Sequence, residues 1–145
     1  MMVRDRLYGS CTILEPIIVE LMQSTPVQRL KHIAQLGLPN KLYHLDGFSR
    51  YEHSVGVMLL LKRFGASQEE QIAGLLHDVA HTAFSHIVDW LVGSFREDFG
   101  DSHHARILET SEIPVILKKY GYHIQRISVT KNYSLLEQDT PHLCA

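Results

Sequence analysis

Residues 77–86 read His77-Asp78-Val79-Ala80-His81-Thr82-Ala83-Phe84-Ser85-His86, three imidazoles and one carboxylate within ten positions, directly behind the apolar run Ile72, Ala73, Leu75 and Leu76. Imidazole and carboxylate together form a donor set for a divalent transition metal, and such groups are rarely set against buried surface unless they are paired or bound. Helix neighbours project about 100° apart, so His77 and Asp78 can converge on an ion lying between their directions, and a third ligand must come from another element. His53 is the natural donor. The stretches on either side of Gly65-Ala66 read as helices, and so short a connection makes them antiparallel neighbours, with the start of one beside the end of the other.

A second arrangement uses His77 and His81, spaced i, i+4 like the ligands of a zinc-peptidase helix, with Asp78 where that helix carries its glutamate. Aspartate is one methylene short for that role, and Thr82 ends the helical pattern close to His81. For His81 and His86 there is also an ordinary reading as surface or hydrogen-bonded core histidines.

The elements that must position these groups are helical. After an extended or looped lead-in over residues 1–14, Pro16 opens an apolar helix from Ile17 to Met22. Ser24-Thr25-Pro26 then supplies an N-cap and an early proline for a second helix, expected to run to about Leu36 before Gly37 and Pro39. Residues 38–49 carry turn formers and read as a loop. From Tyr51 to Phe64 the positions Val55, Met58, Leu59 and Leu61 make a broad apolar stripe, closed by Gly65. Ser67, with Glu70 three residues on, has the form of a capping box for the helix that ends in His77 and Asp78. Further helices are expected over Ala83–Val92, behind Asp101-Ser102, and from Glu112 to Tyr120. Strand signals are few, so the fold is expected to be mostly α, a single-domain helical bundle.

Composition narrows the function. The 145 residues are 45% apolar and 21% charged, enough to bury a real core, and the formal charge is −2 from 14 basic and 16 acidic residues. No basic block marks a nucleic-acid grip. Cys11 and Cys144 are too few for a disulfide scaffold, and no apolar run could span a bilayer, which together point to a soluble, cytoplasmic protein. There is no phosphate loop ending in Lys-Ser/Thr, no Gly-x-Ser-x-Gly elbow and no dinucleotide fingerprint. Ten histidines are the anomaly.

In order along the chain, Gln35-Leu36-Gly37, Arg50-Tyr51-Glu52-His53-Ser54-Val55-Gly56, Leu75-Leu76-His77-Asp78-Val79-Ala80-His81 and Phe84-Ser85-His86 resemble the successive motifs of the HD superfamily of phosphohydrolases. The likeness is greatest to its deoxynucleoside triphosphate triphosphohydrolase branch, and it covers about residues 26–145. The resemblance implies an HD-type helical bundle over 26–145, preceded by a lead-in and first helix over 1–25. It implies that His53, His77 and Asp78 are metal ligands, that His81 and His86 reach the phosphates or assist proton transfer, and that Gln35 and Arg50 line the nucleotide pocket. His103 or His104 matches a further active-site histidine, here without the acidic residue that follows it in the family. The family's fourth ligand is an aspartate directly after a segment like Leu143-Cys144-Ala145, so the chain is expected to stop one residue short of it.

The function so implied is hydrolysis of a nucleotide or related phosphate ester or anhydride with one divalent transition metal, manganese, iron, nickel or zinc. The alternative is a non-catalytic module that binds nucleotide or metal but lacks the fourth ligand. No membrane or nucleic-acid partner is indicated, and a homo-oligomer is left open.

Overall fold

The computed structural model describes residues 1–36, 47–83 and 99–136, and of residues 99–102 the backbone alone. His86, most of the expected 38–49 loop, the expected helix over 83–92 and residues 137–145 lie outside the described residues. The lead-in is a hairpin, β1 (Met2–Asp5) paired antiparallel with β2 (Gly9–Thr12), Met2 opposite Thr12 and Asp5 opposite Gly9. Asp5 closes its turn by accepting the amides of Leu7 and Tyr8 on one carboxylate oxygen. Local side-chain capping of this kind carries a two-stranded turn that periodicity alone hardly shows.

The other elements among the described residues are helical: α1 (Pro16–Gln23), α2 (Thr25–Arg29) with a 3-10 turn over Leu30–His32, α3 (Arg50–Arg63), α4 (Gln68–Leu76), α5 (Phe99–Glu109), α6 (Ile113–Lys119), α7 (Ile124–Ile127) and a 3-10 turn over Thr130–Asn132. The fold is mostly α and single-domain. One core gathers Ile18, Leu21 and Met22 of α1, Val27 and Leu30, Val55 and Met58 of α3, Ile72, Leu75 and Leu76 of α4, Leu108 of α5, and Leu117 of α6. No helix among the described residues is long and apolar enough to cross a membrane.

The second helix is shorter than its periodicity predicts. Ile33 turns extended, Ala34 bridges Ser49, the Gln35 amide donates to the Phe48 carbonyl, and Arg50 donates to that of Ile33. Pairing with residues 48–50 takes the backbone groups that further helix would have used. It also sets Ser49 at the start of α3, where a complete capping box forms: Ser49 Oγ accepts the Glu52 amide, and the Glu52 carboxylate accepts the Ser49 amide. The box expected at Ser67 is half formed. Ser67 accepts the Glu70 amide, but the Glu70 carboxylate turns away to accept the amides of Leu135 and Leu136.

Candidate metal centre

α3 and α4 are antiparallel, joined through Gly65 in the left-handed region at φ +75. They lie close because Gly74 has no side chain: a Cβ there would stand 2.4 Å from Leu61 Cδ1 and 3.2 Å from Val57 Cγ1. The first turn of α3 is thereby brought to the C-terminal end of α4. His53 of α3 meets His77, the C-cap of α4, and Asp78 follows in the next position.

The two Nε2 atoms are 3.3 Å apart, with the rings edge to face at 63°. Nδ1 of His77 lies 2.7 Å from the Gly74 carbonyl oxygen. A carbonyl only accepts, so Nδ1 carries a proton and Nε2 is the nitrogen turned toward His53. Such a backbone acceptor behind a ligand histidine is what fixes tautomer and ring direction at metal sites. Burial, then the charge of His77, pulls the pKa of His53 below its usual value, so the ring favours the neutral form that metal binding requires.

Asp78 is buried and closes the group. Its Oδ1 is 3.4 Å from His77 Nε2 and 3.1 Å from His81 Nε2; its Oδ2 is 2.7 Å from an Arg50 guanidinium nitrogen and 3.9 Å from His53 Nε2. Burial alone would raise the carboxyl pKa, but the His81 hydrogen bond and the positive surroundings of His77, Arg50 and His81 outweigh it and hold the group well below the usual carboxylate range. Asp78 is therefore an anion.

Ligand atoms of His53, His77 and Asp78 all fall within 4.8 Å of one another. Two nitrogens each about 2.1 Å from a common ion stand about 3.0–3.4 Å apart at square to tetrahedral angles, which the 3.3 Å pair satisfies. Two imidazoles and a carboxylate fit manganese, iron, nickel or zinc. The residues present thus suit a divalent ion.

Arg50, expected to line a nucleotide pocket, is 1% exposed and bound to the Asp78 carboxylate. His81 is half-buried on Asp78. His104 is buried on α5, its Nε2 3.0 Å from the Leu76 carbonyl, where it supports the end of α4, while His103 beside it is half-buried. Neither joins the three-ligand group. Gln35 is half-buried in the short bridge that leads into α3. One residue was missed by sequence reasoning: Arg29, at the end of α2, donates to the carbonyls of Val79 at 2.7 Å and His81 at 2.9 Å. Only its place among the polar faces of a helix was visible in the sequence.

Residues 50–140 match the HD domain family. The chain is 47% identical over 146 residues to YdhJ of Bacillus subtilis, covering 100% of this chain and 45% of that protein. It is 40% identical over 145 residues to the metal-dependent phosphohydrolase cns2 of Cordyceps militaris, 99% of this chain and 42% of that one. Human deoxynucleoside triphosphate triphosphohydrolase is 33% identical over 102 residues, 60% of this chain and 16% of its own. A crystal structure of a hypothetical protein from Aquifex aeolicus superposes with a TM-score of 0.73 at 30% identity, covering 94% of this chain and 39% of that one. The chain spans less than half the length of these relatives.

Proposed function

The chain belongs to the HD-domain family of metal-dependent phosphohydrolases, and from that premise we propose that it hydrolyses a phosphate ester or anhydride of a nucleotide at the His53, His77, Asp78 centre. The observation that carries the reading is the His77 ring, whose Nδ1 is held by Gly74 so that its Nε2 faces that of His53 beside an ionised Asp78. Support for a nucleotide as substrate is the likeness to deoxynucleoside triphosphate triphosphohydrolases.

His53, His77 and Asp78 would hold the ion, which when bound supplies a hydroxide nucleophile near neutral pH and neutralises phosphate charge. The chain's other residues have definable work. Arg50 pins Oδ2 of Asp78, and so orients the ligand carboxylate and offsets its charge within a buried site. His81, with Nε2 on Oδ1 of Asp78, is the titratable side chain beside the trio that we assign to protonate a leaving oxygen or stabilise its charge. His104 holds the Leu76 carbonyl, so the last turn of α4 stays in register with α5. His103, Gln35 and His86 we assign to the substrate side, following the motifs they match.

Phosphate release from a panel of nucleotides and simple phosphate esters, with the protein loaded in turn with manganese, iron, nickel and zinc, tests the proposal. His77→Ala and Asp78→Ala are expected to lose both bound metal and turnover. Turnover unchanged in both would defeat the assignment, and stoichiometric metal binding without phosphate release from any substrate would leave a binding module.

A further inference from the structure

The segment that follows α4 carries the chemistry but has left the helix. His77 to Ala80 form a turn in which Val79 donates to the Leu76 carbonyl and His81 to that of Asp78. Carbonyls beyond a helix end have no partner within the helix and must find one elsewhere. For two of them that partner comes from fifty residues earlier in the chain. One terminal nitrogen of Arg29 donates to the Val79 carbonyl at 2.7 Å and to the His81 carbonyl at 2.9 Å, spanning the Val79–Ala80 and His81–Thr82 peptide units. Hydrogen bonds from a guanidinium are charge-assisted, and a cation beyond a helix C-terminus is also favoured by the helix dipole.

The two carbonyls bracket the backbone from which His81 projects. Val79 is fully buried and Ala80 nearly so, so this stretch is anchored to the core from within. His81 faces the site, its Nε2 3.1 Å from Oδ1 of Asp78 across one turn of chain. A backbone rotation about His81 that carried its carbonyl with it would swing the imidazole off the carboxylate. Arg29 blocks that rotation because it would break the bond to the His81 carbonyl.

We propose that Arg29 is a positioning residue for the centre: it ties α2 to the Val79–His81 turn and so keeps the His81 imidazole hydrogen-bonded to Asp78. Its effect on turnover rests on the phosphohydrolase reading, but its effect on His81 does not. Among the described residues Arg29 hydrogen-bonds to the backbone of this turn and to none of His53, His77 and Asp78.

The test uses nitrogen NMR of the histidine rings in metal-free protein, with the His81 Nε2 resonance assigned by its absence in His81→Ala. In Arg29→Ala this resonance is expected to move by more than its linewidth, while those of His53 and His77 keep their positions. Arg29→Lys, which keeps one donor head, is expected to lie between, and added guanidinium at non-denaturing concentration to return the Arg29→Ala signal toward wild type. A His81 resonance unmoved in Arg29→Ala overturns the proposal, as does a common shift of all three histidines, which would mean general loosening. If Arg29→Ala does not fold, Arg29→Lys carries the same comparison. In the active protein Arg29→Ala should lower kcat about tenfold and have little further effect in a His81→Ala background. Absence of turnover in the wild type would count against the hydrolase reading while the histidine resonances still decide the role of Arg29.

Discussion

Nε2 of His77 lies 3.3 Å from Nε2 of His53, and Nδ1 on the opposite side of the same His77 ring lies 2.7 Å from the Gly74 carbonyl oxygen. The ring is thus held from behind by its own helix and aimed at the neighbouring one. Removing either imidazole should weaken metal binding by a hundredfold or more, beyond the roughly 10–100-fold that outer partners of ligands are worth. Competition titration with a chromophoric chelator on His53→Ala and His77→Ala measures this. Affinity within tenfold of wild type in both would place the ion elsewhere.

Gly74 supplies the carbonyl and also the space. An alanine Cβ would meet Leu61 Cδ1 at 2.4 Å and Val57 Cγ1 at 3.2 Å. Leu61 can swing its far end aside, but Val57 is β-branched and stiff. Overpacking costs about 1–3 kcal/mol, against a helix-propensity gain of about 1 kcal/mol for alanine over glycine. Gly74→Ala is therefore expected to be neutral to about 2 kcal/mol destabilising and to weaken metal binding by prising His53 from His77. Truncating Leu61 normally leaves a cavity, so Leu61→Ala should cost markedly less in the Gly74→Ala background than alone. Urea unfolding of the four proteins reads the coupling; strict additivity would mean that the helices do not press at this point.

The buried ion pair of Arg50 with Asp78, 2% and 5% exposed in their side chains, predicts an asymmetric response. Breaking such a pair strands a charge in the interior, at a cost of about 3–5 kcal/mol, whereas replacing both partners with apolar groups of like size is often neutral. Arg50→Met alone should therefore lower the urea midpoint sharply, and Arg50→Met with Asp78→Leu should restore most of it while abolishing metal binding. Equal loss in the single and double variants would show that the loss does not come from a stranded Asp78 charge.

The convergence of His53, His77 and Asp78 was legible in the sequence because residue type, the His77-Asp78 adjacency and a two-residue helix connection all bear on local geometry. Helices α1, α3, α4 and α6 were legible for the same reason. What failed was non-local. The second helix stops early because Ile33 and Gln35 pair with Arg50 and Phe48, and no propensity of residues 30–36 records that competition. The Ser49-Glu52 capping box had a visible S-x-x-E signal, hidden only by the turn formers before it, whereas the Ser67 box lost its glutamate to Leu135 and Leu136, which lie 65 and 66 residues away. Arg29 was unreadable in the same way, since its partners are carbonyls, which carry no sequence identity.

His53 gives a pH dependence whose sign follows from its environment. Burial first, and then the charge on His77, lowers its pKa below the ordinary 6.5, so the folded protein binds its proton less readily than the unfolded chain. The stability linked to a neutral His53 is complete above that ordinary value and is lost as pH falls through the lower, folded value. In metal-free protein the urea midpoint should therefore decline as pH drops below 6.5. His53→Gln, which keeps a polar side chain but cannot titrate, should flatten that part of the profile while other titrating groups keep their own. Bound metal keeps the folded ring deprotonated to lower pH, so loading the site should leave the onset near 6.5 and extend the decline to lower pH in the wild type, by less in His53→Gln. A profile in His53→Gln as steep as wild type would show that the proton taken up on unfolding belongs to another group.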